Sequence, residues 1–333
     1  ARKGVVCVDQ SSFAKFIVEG PNATSLLQRL CANDVDVAPG RIIYTAMLND
    51  QGGIESAVTI FKITDDKYFL VTGTGQAVKD TEWINRHKGD DRATLTDVTS
   101  GYAVLGVAGP QSEEILARIS GDDVSLTNFP RYRHREIEAG YGIVRAARLS
   151  YTGEAGFELY IPSEFAIGVY DALSDAGRDL GLMDIGTTAL TSLRVERGFR
   201  AWGHDISAAD TPFEAGLGHG VKLEKNAGFI GHDALARQRD AGPARHLAFL
   251  TCTDPGAYPI GGEPIIFNGQ PVGQITSAAY GHSVGAAVCM GYVEHPPAKI
   301  NEMAAAGGFA IDIACELAPA TFSFDPPYPG RAT

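Results

Sequence analysis

Two stretches of this chain, about ninety residues apart, follow the same local plan. Residues 13–19 form an apolar run that reaches Gly20-Pro21 and passes into 22–30, where Ala23, Leu26, Leu27 and Leu30 fall three and four apart. Residues 103–108 form a second apolar run that reaches Gly109-Pro110 and passes into 111–119, where Ile115, Leu116 and Ile119 share a helical face. A strand-like run, a Gly-Pro break and a segment of helical periodicity make one strand–turn–helix piece. Two copies predict two related α+β units; chance similarity of two common pieces is the competing explanation.

Length favours such a division, because single cores stop growing at roughly 250–300 residues and the chain has 333. Inside the first unit, 42–48 and 56–63 read as strands joined across Gly52-Gly53, a pair able to supply the positive φ of a tight reversal; 67–72 is a further strand. In the second, 143–150 and 157–161 bracket a Gly-rich turn at 152–156. Ser163 is placed to cap a helix running to Leu180, with Phe165, Val169, Leu173 and Ala176 on one face. Residues 187–197 read as another helix, stopped by Gly198. From His246 the texture becomes β-rich, with short runs at 246–253, 263–267, 271–276, 285–293 and 309–313 and a hairpin signal at Asn268-Gly269. The expected organisation is therefore residues 1–245, made of units of about 1–100 and 101–245, followed by a β-barrel at 246–333. The Pro-rich tail from 322 to 333 is expected to lie extended on the surface.

Composition narrows function by exclusion. Apolar residues are 44% and charged residues 20%, as in ordinary globular proteins, and no apolar run reaches the roughly 18–20 residues of a membrane span. The net charge of −12 argues against broad nucleic-acid binding. Five scattered cysteines without a Cys-x-x-Cys argue against a zinc site and favour a cytoplasmic or mitochondrial-matrix compartment. The chain lacks nucleotide-loop motifs. Gly281-His282-Ser283-Val284-Gly285 has the form of a nucleophile elbow, but that turn must lead into a helix, and 286–293 reads as a strand. The chain opens at Ala1 already close to ordered core, so an earlier start of the polypeptide is expected.

Four polar positions remain. Tyr44 stands before the Gly-Gly turn, Tyr151 before the second Gly-rich turn, Glu158 within the apolar strand that follows it, and Arg194 near a helix end. Each has an ordinary structural explanation: a rim tyrosine, a paired carboxylate, or a cation complementing a helix C-terminus.

Several segments together resemble the glycine-cleavage T-protein (aminomethyltransferase) family. They are Tyr44-Thr45-Ala46-Met47-Leu48-Asn49-Asp50-Gln51-Gly52-Gly53, Ser150-Tyr151-Thr152-Gly153-Glu154-Ala155-Gly156-Phe157-Glu158, and Leu193-Arg194-Val195-Glu196-Arg197-Gly198-Phe199-Arg200-Ala201-Trp202-Gly203. Phe229-Ile230-Gly231-His232-Asp233 and Ala279-Tyr280-Gly281-His282-Ser283 fit as well, in the family's order. The Phe199-to-Gly203 wording is most similar to the folate-binding C-terminal regions of dimethylglycine and sarcosine dehydrogenases and oxidases.

The resemblance implies an α+β, three-subdomain, cloverleaf-like fold with tetrahydrofolate in a central channel. It implies that Glu158 accepts hydrogen bonds from the pterin, that Tyr44 and Tyr151 flank its rings, and that Arg194 holds a polar end of the pocket. The family's usual aspartate after the Gly-Gly turn corresponds here to Ala57. Glu55, two residues earlier, would face the same side on a regular strand and is the candidate catalytic substitute. The implied activity is capture of a methylene or formaldehyde equivalent from N-methyl amino acid oxidation, giving 5,10-methylenetetrahydrofolate. A flavin-dependent domain or subunit is the implied partner, with FAD only where such a partner exists. A stand-alone folate-dependent demethylase and a non-catalytic folate-binding protein are the alternatives.

Overall fold

The computed structural model describes residues 1–294 and 300–330. Its first part contains β1 (Val6–Asp9), β2 (Ala14–Glu19), α1 (Ala23–Leu30), β3 (Ile42–Leu48), β4 (Ile54–Thr64), β5 (Lys67–Thr72), α2 (Ala77–Lys88) and β6 (Thr94–Asp97). Next come β7 (Tyr102–Ala108), α3 (Ser112–Ile119), β8 (His134–Ala139), β9 (Gly142–Ala147), β10 (Gly156–Pro162), α4 (Ala166–Gly177), β11 (Met183–Ile185) and α5 (Thr187–Glu196). A five-stranded antiparallel sheet runs β3-β4-β5-β2-β6, and a six-stranded sheet runs β11-β1-β7-β10-β9-β8. β1 thus leaves its sequence neighbour and joins the second sheet.

After α6 (His232–Ala241) the chain forms β12 (Arg245–Cys252), β13 (Pro264–Phe267), β14 (Gln270–Gly281), β15 (Ala286–Glu294), α7 (Ile300–Ala306), β16 (Phe309–Ile313) and β17 (Glu316–Ser323). The six strands close into a barrel in the order β12-β15-β14-β13-β16-β17, which leaves no free sheet edge. The β13–β14 reversal sits at Asn268 and Gly269, with φ of 49° and 81°, as the sequence pair predicts.

The repeated strand–turn–helix pieces share one joint. Gly20 and Gly109 have φ of 131° and 130°. A Cβ would lie 2.5 Å from the Arg92 carbonyl oxygen at the first and 2.1 Å from the Gly4 carbonyl oxygen at the second. Only glycine allows both the dihedral and the approach. Each joint aims its helix at one face of its sheet. Leu26, Leu27 and Leu30 of α1 bury with Phe16, Val18 and Leu70, while Ile115 and Leu116 of α3 bury with Leu105, Val107 and Leu159.

The opposite faces of the two sheets meet each other. Tyr160 packs edge-on against Phe61 and Phe69, with centroids 5.1 and 5.4 Å away, in a cluster with Ile42, Val71, Val104 and Ala147. Such aromatic contacts add about 0.5–1.5 kcal/mol each beyond area burial. This layer fixes where β10 points its remaining side chains.

Three local expectations fail. Ser163 does not cap a helix; its hydroxyl donates to the Ser100 carbonyl at 2.7 Å, and α4 begins three residues later. Phe165 is on the outer side, 38% exposed, because it lies over Gly142 of the β8–β9 hairpin. The tail is not merely extended: β17 runs to Ser323, and Tyr328 is pinned by its N–H to the Glu196 carbonyl at 3.0 Å. Residues 331–333 of that tail lie outside the described residues.

Candidate functional site

Glu158 is a buried carboxylate in the middle of β10. β10 alternates Phe157, Leu159 and Ile161 into the helix side, so Glu158 and Tyr160 share the face turned toward the other sheet. The strand partners of Glu158 are Gly106 and Ala147, so neither neighbour carries more than a methyl group beside it. Tyr160 donates its hydroxyl to Glu158 Oε2 at 2.7 Å; Oε1 has no hydrogen-bond partner among the described residues. Burial pushes the Glu158 carboxyl up to about 7, against the Tyr160 hydrogen bond, which acts downward.

Tyr44, Tyr151, Arg194 and Arg200 form a second group, close enough to influence one another's charge. Tyr151 donates its hydroxyl to the Arg200 carbonyl at 2.9 Å, and its ring stacks on Phe199 at 5.7 Å. Burial raises its phenol, opposed by the guanidinium charges of Arg194 and Arg200; Tyr44 and Asp205 add to the rise. Tyr44 is 40% exposed, yet surrounding protein raises its phenol too, opposed by Arg200. A side chain both water-accessible and crowded lines a recess rather than a convex surface. Among the described residues no hydrogen bond or ion pair joins Glu158 to this group; its polar partner is Tyr160. Tyr151 and Glu158 nevertheless flank one turn, at Gly153 with φ 77°.

Arg194 is committed to the frame of the site. Its guanidinium pairs with Asp205 Oδ2 at 2.5 Å, donates to Ser277 Oγ at 2.9 Å and to the Phe199 carbonyl at 3.2 Å. It ties α5 to the 199–205 loop and to barrel strand β14. Asp205 also accepts from Thr276 and from the Ala201 N–H, at 2.6 and 2.9 Å. The cation beside the two tyrosines is Arg200, whose Nε donates to the Ala215 carbonyl and Nη1 to the Gly198 carbonyl; burial lowers its pKa.

The Glu55 expectation is corrected by the strand itself. β3 and β4 pair Leu48 with Ile54 and Met47 with Ser56, leaving Glu55 as the extra residue of a β-bulge. The bulge breaks the two-residue alternation that would place Glu55 beside Ala57. Ile54, not Glu55, joins Ala57 in a narrow crevice with Tyr44, Leu217, Gly220 and Val221. Glu55 instead accepts from Asn49 Nδ2 at 3.3 Å, and its carbonyl accepts from the Lys79 ammonium. Lys79 lies 4.2 Å from the ring of Trp202, whose Nε1–H donates to the Ile54 carbonyl at 2.8 Å. The Ala57 crevice is apolar and holds no acid.

A cleft of about 540 Å³ lies elsewhere, lined by Asp34, Phe213, Lys222, Leu223, Lys225 and Arg239 among others. It meets the Ala57 crevice at Val221 and touches none of Tyr44, Tyr151 and Glu158. Among the described residues, no cluster of three or more His, Cys, Asp or Glu is placed to hold a metal ion, and no helix is long and apolar enough to cross a membrane.

Sequence reasoning missed Gln10 and Arg200. Arg200 sat inside a quoted motif, but nothing in its spacing distinguishes it from Arg194 or Arg197. Gln10 lies two residues beyond Val8, just past the end of β1, and returns to the inward side; that alternation was its one signal.

Comparison with known proteins agrees with the fold. The family model described as GCVT N-terminal domain matches residues 1–225, and that described as glycine cleavage T-protein C-terminal barrel domain matches 245–329. A 4-methylaminobutanoate oxidase (formaldehyde-forming) of Paenarthrobacter nicotinovorans is 39% identical over 329 residues, which are 98% of this chain and 39% of that protein. The chain thus spans about two-fifths of that relative. An aminomethyltransferase of Halothermothrix orenii is 34% identical over 295 residues, 88% of this chain and 81% of that one. The crystal structure of glycine cleavage system aminomethyltransferase T from Bartonella henselae superposes with a TM-score of 0.85 at 24% identity, covering 99% of this chain and 88% of that one.

Proposed function

Because the chain belongs to the glycine cleavage T-protein family, we propose that it is a tetrahydrofolate-binding one-carbon transfer module. In this reading it captures a methylene or formaldehyde equivalent from oxidation of an N-methyl amino acid and yields 5,10-methylenetetrahydrofolate. Residues 1–245 hold the folate and the barrel of 246–333 supports them from β14.

The observation that carries the reading is Glu158. A buried carboxyl with one unpartnered oxygen, beside a glycine and an alanine, suits the amino-pyrimidine edge of a pterin, which offers parallel N–H donors. Those donors favour the ionised carboxylate, and hydrogen bonds to a charged group are worth roughly 1.5–3 kcal/mol each. Tyr44 and Tyr151 bound the rings, Arg200 keeps the tyrosine end electropositive, and Arg194 holds the loop that carries Arg200.

Tetrahydrofolate supplies two nitrogens that take up a single carbon. The protein's share is then positioning and exclusion of water, and held reactants gain roughly 7–11 kcal/mol of barrier relief. The apolar setting of Ala57 favours a donor already electrophilic, such as formaldehyde or an iminium, over one that needs an acid to depart. The formaldehyde-forming relative points the same way. That relative's greater length is in keeping with a flavin-dependent oxidoreductase domain or subunit as the partner, the FAD belonging to that partner.

The test is calorimetric titration with tetrahydrofolate, comparing this chain with Glu158→Ala. Micromolar binding that weakens about tenfold or more in the variant is expected. An unchanged dissociation constant would remove Glu158 from the site and the reading with it. Binding without consumption of added formaldehyde would instead favour a non-catalytic folate-binding role, which Ala57 permits.

A further inference from the structure

Gln10 is 4% exposed, and its carboxamide makes no hydrogen bond among the described residues. Its polar atoms are not among the fully buried, unpartnered ones of the described residues, so the amide tip keeps contact with solvent, where a ligand's acceptor can take the place of water. The backbone of Gln10 is held, its N–H donating to the Val104 carbonyl at 2.8 Å, so the side chain has a defined origin.

Its position follows from the sheet. Val8, Gly106 and Glu158 are partners across β1, β7 and β10, so their side chains share one face. Gln10 lies two residues beyond Val8 and returns to that face. A Cβ on Gly106 would fall 2.5 Å from Gln10 Oε1 and 2.9 Å from Val8 Cγ1. The amide tip therefore lies over Gly106, in the space the missing side chain leaves. Directly opposed residues of an antiparallel pair carry Cβ positions about 4.5–5.5 Å apart, so the amide lies within about 8 Å of the Glu158 Cβ, on the same face of the sheet. Among the described residues no hydrogen bond joins the two; the side-chain partner of Glu158 is Tyr160.

We infer that Gln10 is a specificity-determining residue of the Glu158 recess, its carboxamide N–H donating to the ring carbonyl next to the amino-pyrimidine edge that Glu158 reads. This deepens, and rests on, the reading of that recess as a pterin site. A pterin presents, in sequence, an amino group, a ring N–H and a carbonyl. The carboxylate accepts from the first two, and an adjacent amide supplies the donor that the third requires. No protein partner holds the amide one way round, so it is free to turn its N–H toward the carbonyl. A leucine at this position would fill the same volume and leave the carbonyl unpaired. A glutamate would set an acceptor against it.

The experiment is calorimetric titration of the wild-type chain, Gln10→Leu and Gln10→Glu with two probes, tetrahydrofolate and its 4-amino-4-deoxy analogue, with thermal melts to confirm folding. Gln10→Leu is expected to weaken tetrahydrofolate about five- to tenfold, the worth of one neutral hydrogen bond. Gln10→Glu is expected to weaken it further and to shift the ratio of affinities toward the 4-amino analogue by about tenfold or more. Wild-type affinity in a folded Gln10→Leu, or an unchanged ratio in Gln10→Glu, would overturn the assignment while leaving Glu158 its role. Absence of tetrahydrofolate binding by the wild-type chain would overturn the reading of the recess, and this assignment with it.

Discussion

The two α+β units are built on the same joint and differ at the same place. Three residues before the joint glycine, the first unit has Ile17 paired with Phe69, and the second has Gly106 paired with Glu158. Both pairs lie on strands that precede or neighbour the joint, on the faces where the sheets meet. One unit fills the position with an aromatic ring and a branched chain. The other sets a glycine, overlain by Gln10 and Val8, beside a carboxyl. The backbone sterics of a Gly-Pro joint leave no latitude, whereas the inward face three residues before it tolerates opposite chemistries. At this pair of positions one wall is purely apolar and the other carries a buried carboxyl.

The largest expected effect tests that division through stability. Phe69→Ala removes a ring stacked on Phe61 and packed against Tyr102 and Tyr160, and should cost about 3–5 kcal/mol in denaturant unfolding. Glu158→Ala at pH 8 should cost far less, because it deletes a charge whose burial is unfavourable, although it leaves the Tyr160 hydroxyl without its acceptor. Comparable losses in the two variants would mean that Glu158 is as structural as Phe69, and the contrast between the walls would collapse.

Most of the architecture was legible because it rests on periodicity and on glycine. The β3, β5 and β16 boundaries, the α5 helix, the Asn268-Gly269 reversal and the barrel all follow from patterns a few residues long. What stayed hidden depends on partners far away in sequence. A bulge at Glu55 is invisible in residues whose alternation looks regular, since the slip is defined against β3. Ser163 resembles a cap until Ser100 arrives to take its hydroxyl. Of the candidate site, Tyr44 and Tyr151 do share one neighbourhood, while Arg194 proves to be held by Asp205, Ser277 and the Phe199 carbonyl. No local spacing could distinguish that arginine from Arg200, because the difference is which guanidinium the distant barrel strand engages.

A smaller effect follows from the carboxyl at about 7, well above an ordinary glutamate near 4.3. In the intermediate range the folded chain binds a proton that the unfolded chain has released, so Glu158 contributes stability below an ordinary glutamate pKa that is lost as pH rises through 7. Ligand binding runs the other way, because the pterin edge needs the ionised form. Tetrahydrofolate affinity should therefore rise about tenfold per pH unit up to 7 and level off above it. Glu158→Gln should flatten both trends. Titration calorimetry from pH 5.5 to 8.5, beside unfolding curves over the same range, would measure them. Affinity that fell with rising pH would mean that the neutral carboxyl is the binding form, acting as a donor, and that the recess reads a different ring edge.

The smallest expected effect concerns the first wall. Glu55→Gln should leave tetrahydrofolate affinity and any turnover of formaldehyde within about twofold of the parent chain, since the bulge turns this carboxylate toward Asn49 and away from the Ala57 crevice. A null result is informative here because a proton-transferring carboxylate contributes roughly 10²–10⁴-fold, far outside that margin. The control is thermal stability: Glu55 takes only a 3.3 Å hydrogen bond from Asn49, and its contact with Lys79 runs through its main-chain carbonyl, which the substitution keeps. A loss of turnover by a hundredfold with unchanged folate affinity would show that the bulge rearranges when the carbon donor arrives. The apolar wall would then have a working acid after all, and the two units would differ in the kind of chemistry they carry rather than in whether they carry any.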